Sequence, residues 1–482
     1  MKKYNIIAIL LTCCNLCFAE DIFIANTDLG VNDGTSCANA HGVVWLNTST
    51  NWGSGIDNVS TGDTVHLCGT ISSPITVQGD GSEGNNITIL FESGAKLSRN
   101  TWGEGGYAIA INGKKFIVID GGTNGIIEAT NNGTALTYQD YATYGILASG
   151  ATNVEVKRLT IRNIFVRTPA TNGIFGGNGV RFNGVSTNIA VDNNNISYAN
   201  GGVYIAYANG SDNVNIYNNV ITHGANGIVV GNNGVSVITN LKIYGNSINL
   251  YDDASDSVCG NTFHNDGMQI FAVTSGSSVT SPRIYGNTIG PNMGECTATT
   301  GWIFLSTYVA SPLVYNNVLL LSGANKAPTN GFIYVRPTTG YIVNAEIYNN
   351  TIVSNGDKGT GINDYNDANN GLVAKNNILV NVNYGIYIKN LNYNAIDYNL
   401  YYSNGTNGHT DAHGVTLDPL LNTSYMPQIG SPAIDAASPA IASFSTDKDG
   451  NIRPKGARWD IGAYEVDTGL KYPNQPTQIK IN

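Results

Sequence analysis

The chain repeats one six-residue pattern: an apolar residue, a spacer, two residues that are mostly Asn or Gly, a spacer, and a second apolar residue. It is clearest in Ile216-Tyr217-Asn218-Asn219-Val220-Ile221, Ile243-Tyr244-Gly245-Asn246-Ser247-Ile248, Ile284-Tyr285-Gly286-Asn287-Thr288-Ile289, Val314-Tyr315-Asn316-Asn317-Val318-Leu319 and Ile347-Tyr348-Asn349-Asn350-Thr351-Ile352. Looser copies surround Asn194, Asn377 and Asn399. The second polar residue of each copy marks Asn194, Asn219, Asn246, Asn287, Asn317, Asn350, Asn377 and Asn399, with steps of 25, 27, 41, 30, 33, 27 and 22 residues. A supersecondary unit recurring at this period predicts a solenoid, and the one long step, from Asn246 to Asn287, predicts an insertion on one face.

The side chains select the kind of solenoid. Apolar positions alternate with polar ones at period two and are rich in Val and Ile, as in short strands with one buried face. A second strand in each coil follows a glycine, at Gly179-Val180-Arg181-Phe182, Gly202-Val203-Tyr204-Ile205, Gly227-Ile228-Val229-Val230, Gly267-Met268-Gln269-Ile270, Gly301-Trp302-Ile303-Phe304, Gly331-Phe332-Ile333-Tyr334 and Gly385-Ile386-Tyr387-Ile388. Asn tolerates left-handed backbone angles at turns, and stacked Asn side chains can hydrogen-bond from rung to rung. Together these features predict an all-β fold, a single-stranded parallel β-helix. The stretch Cys37 to Asn51 reads as a short amphipathic capping helix, with Val43, Val44 and Leu46 or Trp45 inward. Strands at Thr64 to Thr70, Ile75 to Gln78, Ile87 to Phe91 and Phe116 to Ile119 then start the stack.

Composition supports a chain of many turns: 57 Gly in 482 residues is about 12 per cent, against a usual ~7, and only 12 per cent of residues are charged. Lys2 and Lys3 before the apolar run Ile6 to Leu11, with small residues at Cys17 and Ala19, predict a signal peptide cleaved after Ala19 and a secreted protein, extracellular or periplasmic. Leu11-Thr12-Cys13 is a poorer lipoprotein signal. No other apolar stretch is long enough to span a bilayer. The expected segments are a signal at 1–19, a cap at 20–60, the solenoid with its C-terminal closure at 61–465, and a tail at 466–482. The mature chain would keep Cys37, Cys68, Cys259 and Cys296, an even number in an oxidising setting, pairing as Cys37–Cys68 and Cys259–Cys296. It would carry 22 basic and 34 acidic side chains, a net of −12, which speaks against nucleic acid as a partner. A monomer is expected. Lys157, Arg158, Arg162, Arg167 and Arg181 fall within two coils with Glu155 their only acidic neighbour in sequence; they read either as a solvated face or as a basic strip for an anionic polymer.

Near the start, Gly62-Asp63-Thr64-Val65-His66-Leu67 precedes the stack. Near the end stand Ser431-Pro432-Ala433-Ile434-Asp435-Ala436, Asp449-Gly450-Asn451-Ile452-Arg453-Pro454 and Asp460-Ile461-Gly462-Ala463-Tyr464-Glu465. With these ends, nearly everything after Asp21 resembles the right-handed β-helix superfamily typified by pectate lyases, and the last three runs resemble the closing segment of bacterial extracellular β-helix proteins. The resemblance implies a right-handed coil. It leaves activity open among lyases, hydrolases, epimerases and inactive surface proteins. The Asn-Thr-Asp, Asp-Asp and Gly-His-Gly set of polygalacturonase-like hydrolases is not reproduced, nor is the Asp-Pro-His run of alginate epimerases.

Within the long step, His264-Asn265-Asp266-Gly267-Met268-Gln269 gathers an imidazole, a carboxylate and an amide. With Met268 and Ile270 inward, Asp266 falls at the strand entrance and Gln269 faces outward. The same step holds Tyr251, Asp252, Asp253 and Asp256, and Lys242 and Arg283 flank it. As catalytic residues the expectation is His264, Asp266, Arg283, Lys242 and Tyr251. Gln269, Arg181, Tyr204, Tyr244 and Tyr285 are expected to bind substrate, and Asp252, Asp253 and Asp256 to hold calcium, the one cofactor foreseen. The tyrosine row equally suits plain rung-to-rung packing, and Asp266 an ordinary turn. The leading expectation is β-elimination on a uronate-containing glycan, with a cation on the carboxylate and His264 or Tyr251 as base. Hydrolysis by Asp266 with Asp252 or Asp253, and a non-catalytic glycan-binding or adhesin module, are the alternatives.

Overall fold

The structure is a computed structural model that describes residues 19–469 apart from 56, 133–136, 138–141, 165–176, 207–209, 233, 251–265, 294–299, 324–326, 338–340, 342, 357–358, 366–370, 390–394, 439–440 and 442. The signal at 1–19 and the tail at 466–482 therefore lie largely outside the described residues.

Each coil visits three parallel sheets in turn. One coil runs Val237–Tyr244 in the first sheet, Ser247–Asn249 in the second and Asp266–Ala272 in the third, then returns through Arg283–Tyr285 to the first. Among the described residues the sheets contain 16, 12 and 11 strands. The predicted alternation holds at this level. Val156, Val191, Ile216, Ile243, Ile284, Val314 and Ile347 stack as one buried column inside the first sheet. Ile196, Ile221, Ile248, Ile289 and Leu319 do so inside the second, and Val203, Ile228, Met268, Ile303 and Ile333 inside the third. Stacking like on like in register lets these branched side chains pack without voids, which is what the Val and Ile preference signified.

The paired polar residues divide their work. The first of each pair takes left-handed angles, at Asn193, Asn218, Gly245, Gly286, Asn316, Asn349 and Asn376. The second is buried and donates back to the preceding rung. Asn246 Nδ2 reaches the Ile216 carbonyl at 2.9 Å, while its backbone N–H and Nδ2 both donate to Asn287 Oδ1, at 2.9 and 3.0 Å. The same bonds link all eight marker asparagines, and the ladder ends where Asn399 donates to Asp411 Oδ2. Glycine opens the third-sheet strands because the corner is tight. A Cβ on Gly227 would meet the Gly267 carbonyl oxygen at 2.4 Å and Ile248 Cγ2 at 2.7 Å.

Two expectations about the start of the chain are corrected. Asp21–Ala25 is already a strand of the first sheet, paired with Thr64–Leu67. The capping helix spans only Val43–Leu46, flanked by 3-10 turns at Cys37–Asn39 and Ser49–Asn51. It cannot begin earlier because His41 and Gly42 are committed to strand pairing with Ile24 and Ala25. Val43 and Leu46 are buried, Val44 is 76% exposed, and Trp45 stacks on His41 at 4.2 Å. Asn47 caps the open edge of the third sheet, accepting from Thr76 N and donating to the Pro74 carbonyl. A Cys37–Cys68 disulfide ties this cap to the first coils. Cys259 and Cys296 lie outside the described residues.

At the other end, the described residues from Ser443 to Glu465 pack back against earlier coils, reaching the Gly286 carbonyl, Asn316 and Asn349. Arg453 and Glu465 are fully buried there and paired at 2.6 Å.

Candidate functional site

Register fixes which outward side chains are neighbours. On the third sheet one column runs Arg181, Tyr204, Val229, Gln269, Phe304, Tyr334, Asn363, Tyr387. Arg181 is its preorganised member. Its Nε donates to Asn183 Oδ1 at 2.8 Å and its Nη1 to Asn178 Oδ1 at 3.1 Å, and its guanidinium carbon lies 5.4 Å from the Tyr144 ring and 5.1 Å from that of Tyr204. Arg181 has no carboxylate partner among the described residues. Planar, always charged and held by neutral groups, it keeps unused N–H donors for an incoming anion. The holding residues Asn178, Asn183 and Tyr144 were missed in sequence. Asn178 and Asn183 occupy the two ends of the Gly179 strand, where the register would have shown them.

Lys242, Tyr244, Arg283 and Tyr285 do not join this face. They belong to the first sheet, in the strands Val237–Tyr244 and Arg283–Tyr285, whereas Asp266 and Gln269 belong to the third. The expected single patch is thus divided between two sides of the coil. Arg283 is also engaged elsewhere, donating from Nη2 to the Ser443 carbonyl at 2.8 Å. Tyr217, Tyr244, Tyr285 and Tyr315 stack at 4.9, 4.9 and 4.8 Å with interplanar angles of 8° or less. Rings at this spacing cover one another's faces and leave no gap for a sugar, so the row packs as a ladder.

Asp266 is the second correction. Far from sharing an exposed rim with Gln269, it has no exposed surface. Its Oδ1 accepts from the Gly301 N–H at 2.9 Å, its own N–H donates to Asn226 Oδ1 at 3.3 Å, and its Oδ2 has no hydrogen-bond partner among the described residues. Burial pushes its pKa up to about 7, against the pull of the Gly301 and Thr300 amides. The carboxyl can therefore hold or release a proton near neutrality. His264, Tyr251, Asp252, Asp253 and Asp256 lie outside the described residues.

The basic strip dissolves in three dimensions. Arg158 pairs with Asp120, Arg162 and Lys96 with Glu128, and Lys157 with Glu155, on two different sheets. For Arg158 and Arg162 the acid comes from the preceding coil, 38 and 34 residues earlier, whereas Glu155 shares a strand with Lys157. Arg167 lies outside the described residues.

Residues 144–319 match the family model described as the right handed beta helix region. No curated protein sequence matches the chain. Among solved structures, the pectate lyase Pel9A is similar with a TM-score of 0.52 at 14% identity, over 92% of this chain and 96% of its own. A lacto-N-biosidase from Eubacterium ramulus is similar with a TM-score of 0.51 at 12% identity, over 83% of this chain and 67% of its own. At such identities the likeness is one of fold. Three wholly parallel sheets wound in register, scarcely any helix among the described residues, and the match to the right handed beta helix region make the fold a right-handed parallel β-helix.

Proposed function

We propose that this is a secreted, polysaccharide-active protein that cleaves an acidic, uronate-containing glycan by β-elimination on the outer face of the third sheet. The observation that carries the reading is Arg181, clamped between two tyrosine rings by two asparagines and lacking a carboxylate partner among the described residues. A guanidinium so placed pairs with a sugar carboxylate and stabilises the charge that develops there when the neighbouring proton is removed. That C–H bond breaks, its electrons form the new double bond, and the glycosidic oxygen leaves with the electron pair and takes up a proton. His264 or Tyr251 would serve as the base in this proposal, and Asp252, Asp253 and Asp256 would hold a calcium ion that supplies further positive charge beside the carboxylate. Hydrolysis is the second reading. It would use Asp266 with Asp252 or Asp253 as its carboxyl pair.

Incubation with pectate, alginate, glucuronan and neutral glycans distinguishes the readings. Ultraviolet-absorbing unsaturated ends mark elimination, new reducing ends without that absorbance mark hydrolysis, and binding without product marks a glycan-binding module. Arg181→Ala is expected to lower kcat/KM on the accepted polyuronate by about 10- to 100-fold, the range for losing hydrogen bonds to a charged group. Arg181→Lys should not restore it, because an ammonium lacks the planar fork. Unchanged turnover in Arg181→Ala would remove the basis of the proposal.

A further inference from the structure

Five rungs beyond Arg181 the same sheet presents a second, differently built surface. Phe304 and Tyr334 are buried and stacked at 5.0 Å, forming its floor. Two residues along, a second outward column runs through Ser306 and Arg336, which are paired in register, and then through Tyr365 and Lys389, whose backbone N–H groups donate to the Val335 and Asp364 carbonyls. Arg336 is exposed and has no acidic partner among the described residues. Lys389 Nζ lies 4.1 Å from the centroid of the Tyr365 ring. Tyr365, Tyr384 and Tyr387 are 42%, 39% and 36% exposed, and the last two meet edge to face at 5.9 Å.

This combination parallels that around Arg181. Tyr217, Tyr244, Tyr285 and Tyr315 instead lie stacked in a ladder, and Lys96, Lys157, Arg158 and Arg162 are paired with acids, so that Arg181 with Tyr144 and Tyr204 is the comparable grouping. Here partly exposed tyrosines and an exposed guanidinium stand together on an acidic protein. Tyrosine faces suit the apolar face of a sugar ring, and a guanidinium suits a carboxylate. At ~4.8 Å per rung, five rungs place Arg336 roughly 24 Å from Arg181, several sugar units along the coil axis.

We infer that Arg336, Tyr365, Lys389, Tyr384 and Tyr387 form a distal subsite that grips the same acidic glycan several units from Arg181, so that long chains bind more tightly than short ones. The inference rests on the third sheet being the glycan face. Two weak contacts on one chain add as a linked pair, and a fragment too short to bridge them gains nothing from the second.

The test measures equilibrium binding of uronate trimers and of fragments of ten or more units to the full-length protein and to Arg336→Ala, Tyr365→Ala and Arg181→Ala, with thermal unfolding confirming that each is folded. The two distal variants should lose about tenfold in affinity for the long fragment and less than twofold for the trimer, while Arg181→Ala loses affinity for both. Equal binding of long and short fragments by the unaltered protein, or equal losses on both in the distal variants, overturns the subsite alone. Failure of the unaltered protein to bind any polyuronate removes the glycan reading of the face, and the subsite with it.

Discussion

Asp266 stands in a column where an earlier rung carries an amide. Asn226, directly before it in register, presents Oδ1 to the Asp266 N–H, and Asp266 Oδ1 does the same for Gly301. An Asn here would supply the same acceptor and avoid a buried charge. The carboxylate instead raises its pKa to about 7 by burial, so the folded chain holds this proton more tightly than the unfolded chain, whose carboxyl has its ordinary value near 3.8. The sign follows: the contribution of Asp266 to stability is full below about pH 4 and is lost as pH rises through about 7, a change on the order of 4 kcal/mol. Asp266→Asn should therefore unfold at a higher temperature than the parent at pH 8.5 and at nearly the same temperature at pH 4.5. Identical unfolding curves at pH 8.5 would show that the carboxyl is not held in this way. A chemical role is read separately, since the same variant would then be stable but inactive. Sequence alternation located Asp266 at a strand entrance correctly; its depth depends on the Thr300 and Gly301 amides, more than 30 residues away.

At the scale of the element, the asparagine ladder carries the coil from rung to rung. Asn287 Nδ2 donates to the Ile243 carbonyl at 3.0 Å, and its Oδ1 accepts from both nitrogens of Asn246. Alanine at this position leaves the buried Asn246 N–H and the Ile243 carbonyl unsatisfied, at a cost of about 3–5 kcal/mol measured by denaturant unfolding. A loss below about 1 kcal/mol would mean that water or a neighbouring amide replaces the ladder. This element was legible in sequence because its partners are copies of itself at nearly constant spacing. The tyrosine row was legible only as a row. Whether its ring faces were open depended on the 4.8 to 4.9 Å stacking and on Phe444, which lies 4.2 Å from Tyr315 and 6.3 Å from Tyr348.

For the whole molecule, the closing segment contravenes the rule that a coil touches only its neighbours. Lys448 donates to the Gly286 carbonyl, Arg453 to Asn316, Asn349 to the Asp460 and Gly462 carbonyls, and Asn376 to Ser438, so one segment binds four successive turns. Its anchor, Arg453, is buried with Glu465 and also donates to the Gly462 carbonyl. Arg453→Ala leaves a buried carboxylate uncompensated and should destabilise by about 3–5 kcal/mol. Stability in a solenoid is distributed along its length, so hydrogen exchange should show protection lost first in the coils from Gly286 to Asn399, with those before Asn219 little affected. Uniform loss along the chain would show that the segment is not a local staple.

Period, strand identity and the inward columns were determined by the sequence alone, because each rests on a residue meeting its own counterpart one coil away. Ile216 needs only Val191 and Ile243 to be placed. Tertiary structure alone decided what shares an outer face. Coil lengths vary from 22 to 41 residues, so the position of a side chain around the axis does not accumulate regularly along the chain. That is why Arg283 and Asp266, 17 residues apart, fall on different sheets, while Arg158 meets Asp120 from 38 residues away.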